Sequence, residues 1–185
     1  MSTIETQYQQ VVNRIHVACD ASGRKRGDVR LLAVSKTKPA EMVEACYRMG
    51  QRSFGENYLQ DALDKITALS HLSDIEWHFI GPLQSNKTRP VANHFQWLET
   101  LDREKAVRLN EQRPEGLPPL NVLIQVNISD EPQKAGIATN DVATFAQQLQ
   151  SLPKLKVRGL MCIPEDTPNE EHLRHQFERM QQLLR

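Results

Sequence analysis

Six short apolar runs, each followed by an amphipathic helical pattern, set the first limit on how this 185-residue chain can fold. The runs lie at residues 29–34, 52–54, 77–80, 96–101, 121–128 and 157–163. Between them apolar residues recur at a helical period of about 3.6 residues. Strand and helix in strict alternation, with every connection long enough for a crossover, predict a parallel sheet of the α/β class. A complete (β/α)8 TIM-type barrel takes about 250 residues, or roughly 30 per unit, so this length accommodates about six of the eight strand–helix units.

In chain order, Ile4, Tyr8, Val11, Val12, Ile15 and Ala18 fall at helical spacing, with Ser2 and Glu5 as a capping box and a stop near Ser22 and Gly23. The run 29–34, bounded by Gly27-Asp28 and Pro39, is predicted as a central strand buried on both faces. Pro39 opens a helix carrying Met42, Val43 and Cys46 that stops at Gly50. The run 52–54 leads into Gly55-Glu56-Asn57, and Tyr58, Ala62, Ile66 and Leu69 stripe the next helix. Ser85 or Asn86 caps a helix with Val91, Ala92 and Phe95, and Asp102 caps one with Ala106, Val107 and Leu109. Val142, Phe145, Ala146 and Leu149 follow the fifth strand, and Asn169 caps a last helix with Leu173, Phe177, Met180 and Leu184. That helix pattern reaches Arg185 with no Gly, Asn or Pro stop, so a single, incomplete barrel domain over residues 1–185 is expected.

Charge narrows the partners. Lys and Arg number 23, Asp and Glu also 23, and no block of one sign stands out, which gives no footprint for nucleic acid or an anionic membrane. The three cysteines, Cys19, Cys46 and Cys162, are scattered and form no CxxC pair, which argues against a disulfide framework or thiolate zinc and suits the cytoplasm. No signal pattern opens the chain, and no stretch approaches the roughly 18 apolar residues of a membrane span. His172 and His175 lie three apart on the last helix without a third ligand spaced to join them, and are read as a solvated face rather than a metal site. No GxGxxG, P-loop or GxSxG motif is present.

One side chain invites chemistry. Lys36 follows the first strand, at the carboxyl end where α/β folds of barrel and open-sheet type keep their sites. A neutral amine there attacks an aldehyde. The plainer reading is a lysine that snorkels its charge to solvent. His78, within the third strand, reads as a satisfied, partly buried histidine rather than an acid or base.

The segments Leu-Ala-Val-Ser-Lys-Thr-Lys-Pro at 32–39, Phe-Gly-Glu-Asn-Tyr at 54–58, Trp-His-Phe-Ile-Gly-Pro-Leu-Gln-Ser-Asn-Lys at 77–87 and Asn-Val-Leu-Ile-Gln-Val-Asn-Ile at 121–128 resemble those of the pyridoxal phosphate homeostasis proteins, the YggS/PROSC family. The likeness runs through Arg-Gly-Leu-Met at 158–161, in the same order and at similar spacings. It implies an α/β barrel similar to the alanine racemase N-terminal domain that holds pyridoxal 5'-phosphate as a Schiff base on Lys36, with no catalytic turnover and hence no catalytic residues. It also implies that Asn57 lies beside the cofactor ring, that Lys38 and Lys134 assist transfer or exchange of the cofactor, that apo-enzymes receive it, and that the protein is a monomer in the cytoplasm. Read without the resemblance, Lys38 and Lys134 are exposed loop lysines and Asn57 is a helix N-cap ahead of Tyr58. The family's phosphate-binding segments follow the seventh strand, beyond residue 185, and Pro90 stands where the family usually has an aliphatic residue. Two alternatives remain: a related amino-acid racemase or decarboxylase, which would carry a further β domain, and a barrel fragment with little cofactor affinity.

Overall fold

The computed structural model of the protein describes residues 3–185; the Ser2 half of the expected capping box lies outside them. Six strands, β1 (Ala33–Val34), β2 (Ser53–Glu56), β3 (Glu76–Phe79), β4 (Trp97–Leu101), β5 (Leu120–Gln125) and β6 (Leu155–Met161), alternate with helices and follow one another in sheet order exactly as in sequence. Every pairing given for them is parallel. The helices are α1 (Ile4–Ala21), α2 (Ala40–Arg48), α3 (Leu59–Ala68), α4 (Thr88–His94), α5 (Arg103–Gln112), α6 (Val142–Leu149) and α7 (Glu170–Leu183). Backbone contacts divide the chain into two compact units, Met1–Trp77 and His78–Arg185.

In the first unit α1 is capped by Thr3, whose side chain accepts from the Thr6 N–H, and α1 packs on α2. The first strand departs from the sequence expectation. Only Ala33 and Val34 are strand, β1 stands at an end of the sheet order, and Val29 and Val34 are 38% and 51% exposed. It is neither central nor buried on both faces. Ahead of it residues 26–28 form a 3-10 turn, in which the Asp28 carboxylate accepts from the Lys25 N–H. An apolar run of this length looks the same whether a second neighbouring strand is present or not. By contrast β2 is buried throughout, and Phe54 packs on Trp77 with ring centroids 6.0 Å apart.

The second unit holds the larger core. Leu98, Leu101, Leu120, Val122 and Ile124 on β4 and β5 are fully buried, and the alternation along β5 puts Leu120, Val122 and Ile124 on one face, with Asn121 and Leu123 half-buried on the other. Phe79 meets Phe95 edge-on at 5.4 Å. Pro90 falls in the first turn of α4, where its missing N–H costs nothing. Asn169 caps α7 as its position predicts, its side chain accepting from the His172 N–H at 3.1 Å.

A buried arginine ties this unit together without a carboxylate. Arg113, 4% exposed, donates to the carbonyls of Ala92 and Phe95 at the end of α4 and of Pro118 in the following loop, at 2.8, 2.7 and 2.9 Å. Those helix-end carbonyls have no partner within α4 itself, and burial pulls the guanidinium below its ordinary range. Arg113→Ala leaves three acceptors unsatisfied, and we expect it to lower stability by about 2–4 kcal/mol. Urea unfolding checks this: the midpoint should fall with little change in slope, and an unchanged midpoint would contradict the assignment.

Candidate functional site

The site is built where β1 and β2 end. Ala33 pairs with Phe54 and Val34 with Gly55, and the Ser35 N–H continues the ladder to the Gly55 carbonyl at 2.9 Å. Extended one step, this register sets Ser35 beside Glu56, and Lys36 follows in a turn beyond the strand. Ser35 and Glu56 point toward α3: the Ser35 hydroxyl donates to Glu56 Oε1 at 2.8 Å, and Lys65 of α3 donates to the same oxygen at 2.7 Å.

Lys36 is exposed, in a tight turn in which the Lys38 N–H donates to the Ser35 carbonyl at 3.1 Å. Thr37 sits at φ 63°, a left-handed conformation that a β-branched residue adopts only when its surroundings force it. Asn57 is not the helix cap: α3 begins at Leu59 with Tyr58 at the cap position. The Asn57 Oδ1 is buried and has no hydrogen-bond partner among the described residues. A buried acceptor left open just past the end of β2 fits a small polar ligand that supplies a donor at that point. Lys38 is exposed and borders an open depression with Thr37, Pro39, Tyr58 and Asp61.

In the other unit, Lys134 is not simply exposed. Its amine pairs with Glu131 at 3.0 Å, and the residue lines a cavity of about 220 Å³ with Gln125, Val126, Asn127, Ala135 and Ile163 beyond the end of β5. The loop that carries it folds back onto the chain, with Val126 bridging Ile137 and the Asn127 N–H donating to the Ile137 carbonyl at 3.0 Å. Gly136 makes this return possible: its φ is 114°, and a Cβ there would come within 2.7 Å of the Asn127 nitrogen.

The residue that sequence reasoning passed over is Lys65. It was available as a lysine at a core position of α3, where Ala62, Lys65 and Leu69 form the buried face; Ile66 is half-buried and Tyr58 exposed. His78 also differs from the expectation of a satisfied, partly buried ring. It is 3% exposed, its Nδ1 is 2.7 Å from Glu99 and its ring stacks on Trp97, but Nε2 has no partner among the described residues. His172 pairs with Glu165 at 2.7 Å, and no group of three or more potential metal ligands occurs among the described residues. Burial raises the thiols of Cys46 and Cys162 above the ordinary range, which makes both poorer nucleophiles and metal ligands at neutral pH. No helix among the described residues is long and apolar enough to cross a membrane.

The alanine racemase N-terminal domain family matches residues 9–185. The pyridoxal phosphate homeostasis protein of Pseudomonas aeruginosa is 52% identical over 185 residues, covering 100% of this chain and 80% of that protein. Among solved structures, PipY of Synechococcus elongatus with PLP bound superposes with a TM-score of 0.78 at 30% identity, over 92% of this chain and 79% of that one. Alanine racemase from Corynebacterium glutamicum is 17% identical, with a TM-score of 0.64 over 84% of this chain and 45% of its own, a likeness of fold. The parallel six-strand sheet is thus of the alanine racemase barrel type, and the chain belongs to the alanine racemase N-terminal domain family and, within it, to the pyridoxal phosphate homeostasis proteins (YggS/PROSC).

Proposed function

We propose that this protein binds pyridoxal 5'-phosphate and serves the intracellular homeostasis of that cofactor, holding it through Lys36 and releasing it unchanged. Two features at the ends of neighbouring strands carry the reading: the exposed amine of Lys36 past β1, and the buried Asn57 Oδ1 past β2, which has no hydrogen-bond partner among the described residues. The name of the Pseudomonas aeruginosa relative and the ligand of PipY support the choice of cofactor.

Pyridoxal phosphate would supply an aldehyde carbon to the amine of Lys36, with Asn57 as the residue that would hold it by a hydrogen bond. The chain's part is to present and orient. Lys36 presents Nζ from a turn strained at Thr37, which limits the directions the side chain can take. Asn57 accepts one hydrogen bond from the ligand and so fixes its rotation. Lys38, two residues from the anchor, and Lys134, with its own small cavity, serve transfer or exchange. The recipients are apo-enzymes, the protein acts as a monomer in the cytoplasm, and neither nucleic acid nor membrane takes part. The described residues form one barrel domain in this reading, and the protein is a carrier without catalytic residues.

Mixing the protein with pyridoxal phosphate should produce an imine absorption band that Lys36→Ala abolishes; a band that survives the substitution would overturn the anchor. Asn57→Ala should keep the band but weaken retention by roughly five- to tenfold, the equivalent of about one hydrogen bond, as measured by equilibrium dialysis. Across a panel of amino acids no steady racemisation or decarboxylation is expected, and turnover of either kind would contradict the carrier reading.

A further inference from the structure

Lys65 is the least expected charge in the first unit. It is 4% exposed on the core face of α3, and all three ammonium protons are used: to the Ser35 carbonyl at 2.7 Å, Glu56 Oε1 at 2.7 Å and Asp61 Oδ2 at 2.9 Å. The Ser35 hydroxyl donates to the same Glu56 oxygen at 2.8 Å. The result is a closed ring running from the Ser35 carbonyl to Lys65, to Glu56 and back to the Ser35 hydroxyl. The ring grips the backbone and side chain of the residue immediately before Lys36. The Lys38 N–H approaches the same carbonyl at 3.1 Å from the other side of the turn.

Beyond this ring, the turn is held by the Ser35 N–H to the Gly55 carbonyl at 2.9 Å and by a short strand. β1 is two residues long, pairs with β2 alone among the given pairings, and is half exposed at Val34. Thr37 is in a conformation that its neighbours must impose. Stability alone does not call for a lysine here, because an apolar residue of similar volume at a buried ion-pair position is commonly neutral or stabilising. We infer that Lys65, with Glu56, is a positioning residue for Lys36: the buried pair clamps the Ser35 peptide and so fixes the direction from which the Lys36 amine meets its ligand. The inference rests on Lys36 being the anchor, and assigns the control of its geometry to a buried charge on the following helix.

The test uses the full chain and pyridoxal phosphate as probe. Lys65→Met alone strands the Glu56 carboxylate in the interior, so the informative variant is Glu56→Gln/Lys65→Met, which removes both charges together. Its fold is checked by far-ultraviolet circular dichroism. The expected result is an imine band on Lys36 that forms at least about tenfold more slowly and has lost most of its visible circular dichroism, since misplacement of a reacting group on the ångström scale costs that much or more. Unchanged rate and dichroism in the folded double variant would overturn the inference. If the double variant does not fold, Glu56→Gln, which keeps the shape and one acceptor, is read for the same two quantities: about threefold or greater slowing supports the clamp, and wild-type behaviour refutes it. A wild-type protein that forms no imine on Lys36 would instead defeat the anchor assignment, a failure distinguishable from that of the clamp.

Discussion

The register of β1 on β2 is the constraint from which the rest of the site follows. With Val34 opposite Gly55, Ser35 meets Glu56 on the side of α3, and Lys36 follows in the turn. A slip of one residue would break the Ser35–Glu56 pair, because side chains in a strand alternate with a period of two, and the carboxylate would lose its hydroxyl partner. A pairing of only two ladder positions is weak protection against such a slip. The polar ring through Ser35, Glu56 and Lys65 supplies a second and more specific lock, since it closes in one register only.

That lock has a cost. Desolvating an ammonium and a carboxylate takes several kcal/mol per ion, and direct attraction repays it only when the remaining protons and lone pairs are also used. Lys65 meets this condition with three acceptors, whereas Glu56 leaves Oε2 without a partner among the described residues. The second unit solves a similar problem differently. Arg113 satisfies helix-end and loop carbonyls. One buried cation thus binds the peptide carbonyl ahead of Lys36, and the other joins the end of α4 to the loop after α5.

Much of the architecture was legible because the alternation of apolar run and helical stripe is a property of the whole chain. Asn169 as a cap and the order of six strands both follow from it. The place of Lys36, two residues past the end of the first strand, was legible for the same reason. What failed were judgements about burial and exact ends. The run 29–34 carries no sign of how many strands flank it, so an edge strand read as a central one. Asn57 read as a cap because asparagine favours that role, yet the helix starts two residues later and leaves its side chain free for another. Lys65 was missed because a stripe drawn through Ile66 steps over it; a lysine three residues after buried Ala62 and four before buried Leu69 was the available signal. Lys134, read from sequence as a loop lysine, is half-buried and pairs with Glu131.

The account stands or falls on which nitrogen holds the cofactor. Reduction of the pyridoxal phosphate complex with borohydride, followed by digestion and peptide mass mapping, locates that nitrogen without reference to any variant. At one equivalent of cofactor the reduced adduct should be found on the peptide containing Lys36. An adduct confined to Lys38, Lys65 or Lys134, with Lys36 unmodified, would contradict the account.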